Sequence, residues 1–402
     1  MDSLTLADGV DQSLITAGLR RFRGELYRCL GRRRDVLFEL VDALLAAEAM
    51  PSLPHLSLLP THRRGWGSVY AALAAGEVDA ERVAELLVAH RGGGAPVFAV
   101  DARRVRPGED IGQATAAQIR AVTGRLDIRE AAPMFVFDAG YDPIALTVDL
   151  ADTPVAVLVR IRGDRVFYTD PATRAPGQLG RPRRHGARLL CAESATWPAP
   201  EQTLEVDDEQ YGRVQVAAWA GLHPKLAGRG HWIDCPRPPI VAGTVIRVQV
   251  EHLPGPRGRA VKTLWLWWAG PGTPDLDRCW RAYIRRFDLE HTFGFCKQAL
   301  GWTTPRIRTP EQADRWTWLV LAAYTQLRLA RSITADTRLP WERRLPTARL
   351  TPTRIRRGFA QLLPVLCTPA SPPKPCGRSP GRPKGSRRGP APRHPAIHKA
   401  AA

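Results

Sequence analysis

The sequence has no CxxC pair, no apolar run long enough to span a membrane, and too little acid to balance its base. The seven cysteines (Cys29, Cys191, Cys235, Cys279, Cys296, Cys367 and Cys376) are scattered through 402 residues. Their odd number and wide spacing argue against a disulfide framework and against a zinc ribbon, and fit a reducing compartment. His223, His231 and Cys235 lie close in sequence, but no fourth ligand of matching spacing accompanies them. No apolar stretch approaches the roughly 18 residues of a spanning helix, and no secretory signal opens the chain. A cytoplasmic protein without a membrane partner is therefore expected. The shortage of acid is the largest departure: 39 Asp+Glu against 58 Lys+Arg leave a net charge of +19 and a pI near 10.5. Such an excess favours a polyanionic partner, most simply nucleic acid.

What is present is otherwise ordinary for a globular chain, with 44% hydrophobic and 24% charged residues and a length that allows two or three domains. Residues 1–92 read as helical and as a DNA-binding region. Leu14, Leu19, Phe22, Leu26, Leu30, Leu37, Leu40 and Leu44 recur at three- and four-residue steps, with Arg20, Arg21, Arg23, Arg28, Arg32, Arg33 and Arg34 between them. Two short helices follow at about Ser68–Ala75 and Glu81–His90, capped by Ser68 and Asp79, a pairing compatible with a helix-turn-helix. Residues 93–162 alternate strand and helix: Pro96–Asp101, Ile111–Arg125, Met134–Asp138, a short helix to Leu150, and Val155–Ile161. That alternation predicts parallel strands, whose C-terminal ends are where such sheets place ligands. Asp101 and Asp138 stand at two of those ends. Asp101 and Asp142 also read well as simple helix caps, whereas Gly140 keeps the backbone open beside Asp138.

Residues 163–272 form a mostly β insertion, and Trp219, Trp232, Trp265, Trp267 and Trp268 within it read as core. Residues 273–345 hold two long helices, and 346–367 a shorter one. In the first, no proline interrupts Asp275 to Leu300. At about 100° per residue, Tyr283, Arg286, Glu290 and Lys297 share an arc of roughly 60°. A polar stripe on a helix whose other faces carry Trp280, Ile284, Phe287, Leu289, Phe293 and Phe295 needs partners for its charges. Residues 368–402 contain nine prolines, eight Lys/Arg and no acidic residue. This segment cannot bury a core and is expected to be disordered. Within it Gly381-Arg382-Pro383-Lys384-Gly385 is similar to a minor-groove hook, which makes Arg382 and Lys384 candidate DNA contacts.

The spacing of Tyr283, Arg286, Glu290 and Lys297 resembles the Y-(2)-R-(3)-E-(6)-K signature of bacterial insertion-sequence DDE transposases. Phe137-Asp138-Ala139-Gly140-Tyr141 resembles their second-Asp strand and Val97–Asp101 their first. The resemblance implies a split RNase H-like core within an α/β fold and a catalytic, metal-binding triad of Asp101, Asp138 and Glu290. It also implies two Mg²⁺ (or Mn²⁺) ions, with Tyr283, Arg286 and Lys297 on DNA phosphates. Double-stranded DNA, as transposon end and target, would be the partner, a synaptic homodimer the assembly, and a nucleoid-associated bacterial cytoplasm the location. One departure stands out. An RNase H-like core runs three antiparallel strands, a helix, then the second-Asp strand. Only 37 positions separate Asp101 from Asp138, and the Ile111–Arg125 helix takes a large share. Either Asp101 is not the first carboxylate, or the middle of the sheet is absent through an internal deletion. The second alternative predicts an incomplete core and a catalytically impaired relic that still binds DNA.

Overall fold

The computed structural model describes residues 3–50, 52–100, 110–126, 131–173, 180–227, 230–253 and 262–374, together with Gly385. Asp101, Arg382 and Lys384 lie outside the described residues, as does almost all of the basic tail. No helix among the described residues is long and apolar enough to cross a membrane.

Five helices open the chain: α1 (Ser3–Arg28), α2 (Arg34–Ala46), α3 (Leu53–Leu56), α4 (Trp66–Ala75) and α5 (Ala80–Ala89). Asp79 caps α5 as its position predicts, accepting the Arg82 N–H at 3.1 Å. Ser68 does not cap α4: Gly65 holds that place, and the Ser68 hydroxyl donates to the Gly65 carbonyl inside the first turn. Leu19 and Leu26 of α1 and Leu37, Leu40, Leu44 and Leu45 of α2 bury against two later helices, α10 (Pro310–Leu329) and α11 (Pro352–Leu366), in one continuous apolar core, while Leu14 of the same expected stripe is exposed. The N-terminal helices thus close on the C-terminal part of the chain. This core also takes up one arginine of the supposed basic face. Arg23 is 1% exposed and bonds both oxygens of the buried Asp42 at 2.7 and 3.0 Å and Gln326 at 2.8 Å.

The middle of the chain builds a seven-stranded mixed sheet. In chain order its strands are β1 (Val97–Ala99), β2 (Met134–Phe137), β3 (Ala156–Ile161), β6 (Gln202–Asp208), β7 (Gly212–Leu222), β8 (Gly243–Val250) and β9 (Lys262–Ala269). A two-stranded ribbon of β4 (Val166–Tyr168) and β5 (Arg188–Leu190) stands apart from it. The spatial order is β1-β2-β3-β9-β8-β7-β6. β1, β2 and β3 are parallel, as the strand-helix alternation predicts. The connecting helices α6 (Ile111–Thr123) and α7 (Pro143–Asp149) begin at Asp caps, Asp110 accepting from Gln113 and Asp142 from Ile144 and Ala145. The β insertion is not a separate layer. β9 pairs antiparallel with β3, from Val157↔Ala269 to Ile161↔Trp265, so the insertion extends the same sheet.

Both faces of the sheet are covered. Helices α6 and α7 lie on Phe135, Phe137, Val157 and Val159. The opposite face, with Met134, Val136 and Leu158, receives α8 (Leu276–Arg285) through Trp280 and Tyr283. Cys279 belongs to this interior, where burial pushes its thiol up to about 12 and leaves it a small apolar side chain. The five tryptophans of the insertion are core: Trp219, Trp232, Trp265, Trp267 and Trp268 are all buried.

At the other end, β1 pairs only with β2 among the described residues, leaving a three-residue edge strand with Val97 exposed. Two strands of an RNase H-like meander would lie outside it. Neither is present among the described residues, in line with the short interval between Asp101 and Asp138.

Candidate active site

β2 is buried at all four positions and delivers Asp138 to the carboxyl end of the parallel layer. Beside it the Val100 N–H donates to the Val136 carbonyl at 2.9 Å, so β1 leaves the sheet alongside β2. Asp138 is half-buried. One carboxylate oxygen, Oδ1, accepts the Gly140 N–H at 2.9 Å, which closes a short turn and fixes the side chain. A Cβ at 140 would sit 3.1 Å from that oxygen, so glycine lets the backbone come this close. Asp142 has the structural role: its Oδ1 is taken by the first N–H groups of α7.

The Asp275–Leu300 helix is not continuous. It breaks at Arg286 into α8 and α9 (Phe287–Gln298). The backbone stays right-handed there, but the Arg286 N–H reaches back to Tyr283 and the Leu289 N–H to Arg286, both three residues away. This tightened turn shifts the phase of α9 relative to α8 and splits the polar stripe. Tyr283 and Arg286 are buried (2% and 7% exposed), whereas Glu290 and Lys297 are exposed. Phe287, expected inside, is 45% exposed and lies 5.0 Å under the Arg286 guanidinium.

α8 is anchored to the sheet at its start. Asp275 accepts the Arg278 N–H, and the Arg278 guanidinium donates to the carbonyls of Pro96 and Ala132, which precede β1 and β2. Between the outer edge of β1 and the α8–α9 pair runs a cleft of about 820 Å³. Six arginines line it: Arg91, Arg278, Arg281, Arg285, Arg286 and Arg328. Arg281 is neutralised by Asp277 and Asp208, and Arg285 by Asp288 at 3.6 Å. Arg91, Arg286 and Arg328 make no ion pair among the described residues. Arg286 is the most telling, because a guanidinium this buried without a carboxylate leaves its charge to be answered from the cleft. Tyr283 adds a buried hydroxyl with no hydrogen-bond partner among the described residues.

Within the described residues, no group of three or more His, Cys, Asp or Glu side chains is arranged to hold a metal ion. Of the expected triad, Asp138 follows β2 and Glu290 stands on α9, neither of them lining the cleft, and Asp101 lies outside the described residues. Among the described residues only one oxygen of Asp138 accepts a hydrogen bond, and carboxylate oxygen is the donor that hard divalent cations prefer.

Residues 96–225 match the family described as DDE superfamily endonuclease. The match is about a third of the chain and runs from the residue before β1 to just past β7. It contains Asp101 and Asp138 and stops short of α8, so Tyr283, Arg286, Glu290 and Lys297 are outside it. No curated protein matches the chain. The features that sequence reading missed are Arg278, Arg91 and Arg328. Arg278 is one of many arginines in the sequence, and only its backbone carbonyl partners distinguish it.

Proposed function

We propose that this chain acts on DNA as a DDE-type transposase, cutting phosphodiester bonds at insertion-sequence ends and joining them to target DNA. The observation that carries the proposal is Asp138. It stands at the carboxyl end of a buried parallel strand inside the segment that matches the DDE superfamily endonuclease family. Asp138 and Glu290, with Asp101 as the third carboxylate, would hold the divalent ions such chemistry uses. Two Mg²⁺ or Mn²⁺ ions supply activation of the attacking hydroxyl and charge neutralisation at the leaving oxygen. The chain's own residues bring the substrate. Arg286, Arg91 and Arg328, without ion pairs among the described residues, would offer cations to the phosphate backbone, and the exposed Lys297 on α9 would add another. The N-terminal helices and the Arg382/Lys384 tail would add grip, and transposon ends would be paired in a synaptic homodimer.

A second reading is favoured by the edge position of β1. With no outer strands of an RNase H-like core beside it among the described residues, the chain would be a relic that binds DNA but cleaves it poorly. The two separate in one experiment. Purified protein is incubated with linear DNA carrying the flanking inverted repeats of its own gene, with Mg²⁺ or Mn²⁺. Nicking at the repeat ends supports the transposase, whereas salt-sensitive binding without nicking leaves the relic.

Both readings share a prediction for the cleft. Arg286→Gln should weaken DNA binding to about the same degree for all sequences. It should also flatten the plot of log affinity against log salt by about one unit. Fluorescence anisotropy across a salt titration measures this, and an unchanged slope removes Arg286 from the interface.

A further inference from the structure

The grouping of His223 with His231 and Cys235 in the sequence dissolves in the fold, where His231 faces Asp149 at 3.9 Å. His223 has other company. It is fully buried, and its Nδ1 has no hydrogen-bond partner among the described residues. An orphaned ring nitrogen in a protein interior calls for a reason. Asp170 Oδ1 lies 3.7 Å from that Nδ1, beyond hydrogen-bond reach, while the other nitrogen, Nε2, is 2.9 Å from His185 Nδ1.

Three segments converge to make this arrangement: Asp170 follows β4, His185 precedes β5, and His223 follows β7. Their backbones are tied together. The Tyr168 N–H donates to the His223 carbonyl at 2.8 Å and the His223 N–H returns to Tyr168 at 3.0 Å. Across the ribbon, the Gly186 N–H donates to Thr169 at 2.8 Å. None of Asp170, His185 and His223 lines the cationic cleft between β1 and the α8–α9 pair.

We propose that His223 Nδ1 and Asp170 Oδ1 are the protein ligands of a divalent transition-metal ion of the zinc class, with water completing its shell and His185 as the positioning residue. Imidazole nitrogen and carboxylate oxygen bind zinc at about 2.0–2.2 Å, so two such donors at an angle of about 110–125° stand about 3.4–3.7 Å apart. The observed 3.7 Å meets that requirement without movement. A ligating imidazole commonly donates its other N–H to an acceptor that fixes the tautomer. His185 Nδ1 is that acceptor, and the bond from His223 Nε2 leaves the Nδ1 lone pair directed at Asp170. Burial lowers the His223 pKa against the opposing pull of Asp170. Burial, with His223, Lys225 and Arg184 nearby, lowers that of His185. The two cations are engaged elsewhere: Arg184 donates to the Pro238 carbonyl and Lys225 sits 4.3 Å over the Tyr168 ring. The Asp170 side chain is 81% exposed, which admits the water ligands. Bound there, the ion would clip the β4–β5 ribbon to the end of β7.

The test uses full-length, metal-stripped protein in excess Mg²⁺, which occupies sites built of carboxylates alone. Co²⁺ titration should give a visible absorption band that saturates at one equivalent. Zn²⁺ at about a hundred times its dissociation constant should raise the melting temperature by roughly 3–5 °C. Asp170→Asn, at an exposed position that leaves folding intact, should lose both effects. His185→Gln should weaken Zn²⁺ binding by about 10–100-fold. Absence of the cobalt band, or a band and a melting shift that survive in Asp170→Asn, overturns the site. Undiminished affinity in His185→Gln overturns the positioning role.

Discussion

Glu290→Gln is expected to eliminate cleavage of insertion-sequence ends while leaving DNA binding and folding in place. Glu290 sits in the first turn of α9, is exposed, and makes no hydrogen bond or ion pair among the described residues. Its replacement by an isosteric amide should therefore change stability by no more than about 0.5 kcal/mol. Activity is different if Glu290 holds a catalytic ion. Loss of groups that merely orient metal ligands costs about 10–100-fold, so loss of a ligand itself should cost at least about a hundredfold. Arg286 and Arg91 remain to hold phosphate, so anisotropy titrations should give an affinity close to that of the parent. Cleavage of a labelled repeat-end duplex is the readout. An undiminished rate in Glu290→Gln would remove this residue from the triad and leave Asp138 without its partner.

Asp42→Ala should be the most damaging single change to the fold, by about 3–5 kcal/mol. Asp42 and Arg23 have side chains 5% and 2% exposed, and they meet through two bonds at the contact of α1, α2 and α10. Removing the carboxylate leaves a guanidinium buried where water cannot reach it, and that uncompensated charge carries the cost. Gln326 and the Cys367 carbonyl still accept from Arg23, which keeps the loss within this range. The double variant Arg23→Met/Asp42→Leu should recover most of the stability, because apolar side chains of similar size fill the site without a charge. Denaturant unfolding of the three proteins decides it. If Asp42→Ala unfolds at the parent's midpoint, the pair contributes nothing net. If the double variant is worse than the single, packing rather than charge is the cause.

Much of the candidate site was legible because its signals are local. The apolar run Met134–Phe137 followed by Asp138 fixes a buried strand with a carboxylate at its exit, and Gly140 marks the turn that restrains it. Asp79, Asp110, Asp142 and Asp275 each start a helix, because a carboxylate there satisfies N–H groups only three or fewer residues away. The parallel pairing of β1, β2 and β3 follows from the intervening helices, and the tryptophans of the insertion fill the apolar clusters on the two faces of the sheet.

Other features depend on groups far apart in sequence. The break at Arg286 has no local signature, since no glycine or proline stands there, and it is α8 docked on the sheet and α9 turned toward α10 that set it. Arg23 reads as one more cation on a basic helix until Asp42 and Gln326 arrive from elsewhere to bury it. By itself, then, the sequence determined the Asp caps of α5 and α7, the parallel strands, the Asp138 exit and the excess of positive charge, though not the start of α4. All of these are set by neighbouring residues or by composition. Only the tertiary structure decided that the insertion continues the sheet at β3, that β1 is an edge, that Arg286 faces a cationic cleft, and that His223 meets His185 and Asp170. These are contacts between segments tens to hundreds of residues apart, chosen by which surfaces can be buried together and not by any local preference of the chain.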